Sequence, residues 1–219
     1  MVKVINVTIT TDTICPWCYI GKKRFERAVA AFKELKGPEN VAFKVNYQPF
    51  LLDPTLSKTG KNKLEHYKSK FGEARTAQMI PYMQQVGAKE GISFSYGGML
   101  GNSLDSHRLV KYAGTLSHDA QDQVINALYR SYFEEEKNIG DVEVLVEAGR
   151  AGGVNEDVVR NEIFGGDLLL QETQVAVGNA RESGINGVPH FVIEEKVQVS
   201  GAQDSDAFVQ YFEQVFQEK

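Results

Sequence analysis

The sequence predicts an α/β fold in which two halves of one sheet, a β-α-β half and a β-β-α half, are separated by a large all-helical insertion. Three observations carry this reading. β-branched residues alternate with a two-residue period near both ends of the chain, helix formers punctuated by glycine pairs dominate the middle, and a C-x-x-C tetrapeptide stands where the first strand gives way to the first helix. The expected division is a discontinuous sheet-bearing domain over 1–58 and 184–219, with the helical insertion over 59–183.

Residues 2–10 alternate Val, Ile and Thr as a strand, and Thr11-Asp12-Thr13 is the polar turn that ends it. From Trp17 to Lys36 the apolar residues Tyr19, Ile20, Phe25, Val29, Phe32 and Leu35 fall at helical spacing until Gly37-Pro38 stops the run. Residues 41–52 resume the two-residue alternation as far as Pro49, which cannot donate a ladder hydrogen bond. Between about 62 and 183 the pattern predicts five or six helices, with starts at Ser103, Asp119, Asp141 and Asn155, all side chains suited to an N-cap. Beyond Gly184-Ile185-Asn186-Gly187, a strand from Val188 to Ile193 turns through Glu194-Glu195-Lys196 into Val197-Gln198-Val199. The last segment, from about Asp204 to Phe216, sets Phe208, Val209, Phe212, Val215 and Phe216 on one helical face.

A chain of 219 residues can bury a sizeable core without disulfide staples, so stability does not call for the two cysteines. The 24 basic and 29 acidic side chains leave a net charge of −5, which argues against a nucleic-acid partner. No apolar run approaches the roughly 20 residues of a membrane span. The opening Met1-Val2-Lys3-Val4 does not read as a signal peptide, so no membrane association and a cytoplasmic location are expected. In a reducing compartment a C-x-x-C pair reads as redox or metal chemistry, not as a structural bridge.

Cys15-Pro16-Trp17-Cys18 places two thiols three residues apart at a helix start, where one turn brings their Cα atoms to about the 5.5 Å a disulfide tolerates. The first-turn cysteine faces unpaired backbone N–H groups and the positive helix end, which favour thiolate over thiol; Cys15 is the expected nucleophile. Cys18, one turn deeper, is the expected resolving thiol. Pro16 suits the first turn because its φ is preset and its missing N–H would be unpaired there. Two other readings stand beside the redox pair: inert reduced thiols, and zinc ligation. The second lacks ligands, since His66, His107, His118 and His190 form no H-x3-5-H pair and there is no second C-x-x-C.

The segment Asp12-Thr13-Ile14-Cys15-Pro16-Trp17-Cys18-Tyr19-Ile20-Gly21 resembles the active-site signature of DsbA-type proteins, especially the FrnE-like branch. Further matches, in the same order along the chain, are Asn102-Ser103-Leu104-Asp105-Ser106-His107-Arg108-Leu109, Tyr132-Phe133-Glu134-Glu135 and Gly184-Ile185-Asn186-Gly187-Val188-Pro189. The resemblance covers nearly the whole chain. It implies a thioredoxin-like fold interrupted by a helical domain, and a cis proline at Pro189 facing the cysteines. It also implies a thiol–disulfide oxidoreductase that exchanges a Cys15/Cys18 dithiol-disulfide with protein or small-molecule thiols, with no cofactor beyond that pair and glutathione as a candidate co-substrate. Trp17 carries no charge, so the expected pair is less oxidising than in relatives with His there.

A cis X-Pro bond at a strand entry would expose the backbone of Val188 to an extended substrate beside Cys15, making Pro16, Trp17, Val188 and Pro189 the expected substrate wall. His190 is read either as a group tuning the disulfide or as a strand histidine facing away. Asn102 and His107, near an insertion helix start, are candidate substrate contacts; for His107 and Arg108 the competing reading is a surface pair exposed to solvent. Asp12 is read as a turn residue with proton transfer near Cys18 as the alternative. Lys22-Lys23-Arg24 is read as a solvent face. Two other function classes remain open. One is a glutathione-dependent transferase or isomerase of the kappa-class or 2-hydroxychromene-2-carboxylate isomerase type, whose members typically carry Ser at the Cys15 position. The other is a binding or chaperone module.

Overall fold

The structure is a computed structural model that describes residues 2–217. Met1, Glu218 and Lys219, the outermost residues of the two expected terminal segments, lie outside the described residues. β1 (Lys3–Thr11) leads through a short turn into α1 (Pro16–Lys36), and β2 (Val41–Pro49) returns parallel to β1 over nine residue pairs. Gly37 ends α1 at φ 86°, a conformation that L side chains rarely adopt. β5 (His190–Ile193) pairs antiparallel with the C-terminal half of β1, and β6 (Val197–Ser200) pairs antiparallel with β5. The sheet order is therefore β2-β1-β5-β6, and α8 (Ser205–Gln217) packs on it beside α1.

Why these helices dock there follows from their aromatic faces. Phe25 and Phe32 of α1, Phe43 of β2, Phe191 of β5 and Phe208 and Phe212 of α8 interlock with ring centroids 4.7 to 6.3 Å apart. Burying each such side chain is worth roughly 1.5–3 kcal/mol, so this cluster fixes α1 and the cysteines at its start against the sheet.

Between β2 and β5 the described residues hold six α-helices and one π-helical segment. They are α2 (Lys63–Phe71), α3 (Glu73–Lys89), α4 (Leu104–Leu116), α5 (His118–Phe133), α6 (Val142–Ala151), the π-helical Val158–Phe164, and α7 (Leu170–Glu182). A two-residue pairing of β3 (Lys61–Asn62) with β4 (Met99–Leu100), too short for a periodic signal, closes the α2–α3 hairpin at its base. The expected start of α4 at Ser103 holds and that of α5 moves from Asp119 to Ser117, while the capping side chains differ from the expected ones at both. Ser117, not Asp119, caps α5 by accepting from Ala120 N, and Asn102, not Ser103, accepts from Leu104 N at the start of α4. Asp141 and Asn155 do accept from the backbone two residues on.

The sheet and the helical segment share one continuous core. Tyr19, next to Cys18, is the hinge between them: its ring stacks on Tyr129 and Phe133 of α5, and its hydroxyl donates to Glu134 Oε1 at 2.7 Å.

Candidate active site

Cys15 occupies the N-cap position of α1, with Pro16 as the first helical residue. Its backbone N–H donates to Asp12 O at 3.0 Å, and its carbonyl accepts from Cys18 N at 3.0 Å, so the turn and the first helical bond fix both cysteines. No side chain caps this helix end and no acidic residue lies in its first turn, so the positive helix terminus is left to the Cys15 sulfur. Both thiols are unbridged. Cys18 is 1% exposed, and burial pushes its thiol well above the ordinary value, with the Cys15 hydrogen bond and charge adding to the effect.

Across from the helix start, the Val188–Pro189 peptide is cis, and the Cys15 thiol lies 3.6 Å from Val188 O. Gly21, one turn past Cys18, is what lets the loop come so near: a β-carbon there would meet Pro189 Cγ at 2.9 Å and Ala202 Cβ at 3.3 Å. Gly21 belongs to the cysteine motif, but the motif alone does not reveal this task. A glycine inside an otherwise regular helix was the available signal.

Cys15, Pro16, Trp17 and Val188 form one wall of a cleft of about 480 Å³. The facing wall comes from the α2–α3 hairpin through Tyr67, Phe71, Met79, Tyr82 and Met83, closed by Tyr96 and Leu100. Lys70, Arg75 and His66 bring basic groups to it, and Asp53 one carboxylate. Sequence reasoning missed this wall, because nothing in the pattern of residues 66–83 says that the hairpin folds over the cysteines.

Other expected residues fall elsewhere. His107 does not line the cleft; it is 3% exposed behind the cysteine turn, with Nε2 3.3 Å from Asp12 Oδ1. Neither the expected substrate contact nor the surface-histidine alternative describes it, because α4 docks against the turn and covers the ring. Asn102 likewise donates its amide to Leu56 O at 2.7 Å and Pro54 O at 3.3 Å, shaping a loop that reaches the cleft. Asp12 accepts from Ile14 N at 3.3 Å and Leu52 N at 2.7 Å, so its carboxylate ties together the turn, the 50s loop and α4. Arg108 is 2% exposed, not solvated: its guanidinium donates to Asp105, Leu168 O, Glu162 O and Gly166 O. The expected solvent face at Lys22 is also corrected. Lys22 is 2% exposed and paired with Glu26 and Asp122, while Arg24 pairs with Glu90 and Asp204. His190 lies on the far side of the cis-proline loop, sharing a 3.2 Å hydrogen bond with Ser200 Oγ, and burial holds it below the ordinary histidine value.

A thiol pair at a helix start, opposed by a proline loop on a four-stranded mixed sheet with a helical insertion, defines a thioredoxin-like α/β protein of the inserted type. Residues 6–213 match the model of the DSBA-like thioredoxin domain, and the chain belongs to that family of thiol oxidoreductases. It is similar to the probable DsbA oxidoreductase SCO1869 of Streptomyces coelicolor, with 30% identity, a TM-score of 0.86, and 98% of this chain and 91% of that one covered. The uncharacterized protein YwbO of Bacillus subtilis (strain 168) is 20% identical over 204 residues, 93% of this chain and 94% of its own. The cytosolic disulfide reductase DsbM of Pseudomonas aeruginosa, solved with GSH, shares the fold at 16% identity and a TM-score of 0.64, covering 97% of this chain and 99% of its own. Among the described residues no helix is long and apolar enough to cross a membrane.

Proposed function

We propose that this chain exchanges thiols and disulfides through Cys15 and Cys18, with Cys15 as the attacking sulfur. The observation that carries the reading is the position of Cys15: at an uncapped helix start, 3.6 Å from Val188 O, in the wall of an open cleft, with Cys18 buried one turn behind it. In the reducing direction the Cys15 thiolate attacks one sulfur of a substrate disulfide, forming a mixed disulfide and releasing the other sulfur as a thiolate. Cys18, losing its proton, then attacks the Cys15 sulfur; the substrate leaves as a second thiol and the enzyme retains the Cys15–Cys18 disulfide. Two electrons have passed to the substrate. A low-molecular-weight thiol such as glutathione returns them as co-substrate, which fits a cytoplasmic setting.

The helix terminus stabilises the negative charge on Cys15 sulfur in both the attacking and leaving states. Val188 supplies backbone groups beside that sulfur, and Pro16, Trp17 and Pro189 hold the substrate wall in place. The burial of Cys18 shields it from outside disulfides and reserves it for the mixed disulfide.

Trapping tests this directly. Cys18→Ser incubated with a disulfide substrate accumulates a stable mixed disulfide on Cys15, whereas Cys15→Ser forms none and loses at least about 10³-fold in exchange rate. Equal trapping by both variants would refute the assignment. A glutathione-conjugating activity that survives Cys15→Ser would favour the transferase reading instead.

A further inference from the structure

The cleft beside Cys15 is more selective than exchange chemistry alone requires. Its inner surface is mostly apolar, mixing aliphatic side chains with the rings of Trp17, Tyr67, Phe71, Tyr82 and Tyr96, and its volume of about 480 Å³ lies in the range of small-molecule sites. Trp17, Leu52 and Tyr82, which rank among the exposed large apolar side chains at 37%, 44% and 55%, all stand on this one cleft. Apolar surface gathered at one place and left open to water is the mark of a binding site.

Its charge is equally uneven. Lys70 and Arg75 are exposed, and each stands 5.8 Å from the centroid of the same Phe71 ring, so two cations flank one aromatic side chain of the wall. Among the described residues neither forms an ion pair with a carboxylate. The one acid of the lining, Asp53, accepts from the Thr55 hydroxyl at 2.6 Å and backbone N–H at 3.1 Å, and the charges of Lys70 and Lys61 act on it only at longer range.

We propose that the cleft selects a small-molecule thiol or disulfide with a flat apolar body and an anionic group, the anion read by Lys70 and Arg75 while the sulfur meets Cys15. The thiol part of this assignment rests on the proposed exchange chemistry; the preference for an apolar anion does not. A peptide-like thiol can pair its amides beside Cys15, at the Val188 backbone, but fits the deeper cleft poorly, because Phe71, Met79 and Met83 there offer no hydrogen bonds. An aromatic acid loses little on entering and gains both stacking and charge pairing.

The test uses probes without sulfur as well as with it. By titration calorimetry on the reduced protein, 2-naphthoate should bind one per chain and about tenfold more tightly than either 2-naphthylmethanol or glutathione. In the double variant Lys70→Gln/Arg75→Gln, both surface positions, naphthoate should fall to the level of the alcohol. The double variant should also react at least about fivefold more slowly with a carboxylated aromatic disulfide, relative to an uncharged pyridyl disulfide. Tighter binding of glutathione than naphthoate, or naphthoate binding unchanged in the double variant, would overturn the proposal. Naphthoate binding as expected in a protein whose cysteines do not exchange would overturn the exchange reading and leave the anion-selective cleft standing.

Discussion

Gly21 and Pro189 meet so closely that the helix carrying the cysteines and the loop opposing them are set by the absence of one methyl group. A β-carbon at Gly21 would lie 2.9 Å from Pro189 Cγ, inside ordinary contact distance. Gly21→Ala should therefore push the loop away from Cys15, costing about 1–3 kcal/mol of stability and slowing exchange with a disulfide substrate. Urea unfolding and stopped-flow exchange rates measure the two effects. An alanine variant with unchanged stability and rate would show that the loop spacing is not set there.

Arg108 is the staple of the segment between α6 and α7. The π-helical turn leaves the Glu162 carbonyl, with those of Gly166 and Leu168 beyond it, converging on one guanidinium, which also pairs with Asp105 at 2.8 Å. Arg108→Ala should cost about 2–4 kcal/mol, because it empties a buried guanidinium site, takes the donor from the Leu168 and Gly166 carbonyls and leaves Asp105 with Lys58 alone. Arg108→Lys should recover only part, since one ammonium cannot reach four acceptors in different directions. Thermal or denaturant melts of the two variants decide it.

Lys63 gives the protein a pH signature. Its ammonium is buried, donating to Tyr132 O at 2.9 Å, and burial pushes its pKa down to about 8, with Glu136 pulling weakly the other way. Below about 8 the fold holds a desolvated cation. Between there and the ordinary lysine value of 10.5 the unfolded chain binds a proton the native one does not, so this group's contribution to stability rises with pH. Relative to Lys63→Met, the parent should gain on the order of 1–3 kcal/mol from pH 7 to pH 10. A difference independent of pH would contradict the assignment.

The two thiols should differ sharply toward a small alkylating agent. Both residues are largely covered, Cys15 at 4% and Cys18 at 1% exposure, but Cys15 lines the cleft, whereas Cys18 does not and its thiol is pushed up by burial. At pH 7 iodoacetamide should label Cys15 at least about tenfold faster than Cys18, as read by peptide mass spectrometry. Equal labelling would remove the physical basis for their separate roles.

Much of this arrangement was legible before any coordinates. Strand alternation in residues 2–10 and 41–49, the helical run ending at Gly37, and the closing hairpin all carry local periodic signals, and the C-x-x-C marks the start of α1. What was hidden depends on partners far along the chain. Lys22 read as part of a solvated basic run because its partner Asp122 lies 100 residues away and the ring of Tyr47 covers it. Arg108 read as a surface cation because its acceptors are mostly backbone carbonyls, which leave no mark in sequence. The β3–β4 pairing is two residues long, too short for a period, yet it closes the base of the hairpin whose side chains face Cys15.

The central claim is that Cys15 and Cys18 are a reversible redox pair. Equilibrium titration of the protein against glutathione buffers, with acid quench, thiol trapping and Cys15→Ser as control, tests it most directly. The account predicts a single two-electron transition between roughly −120 and −270 mV, absent from the control. Thiols that stay unpaired across that range would contradict it.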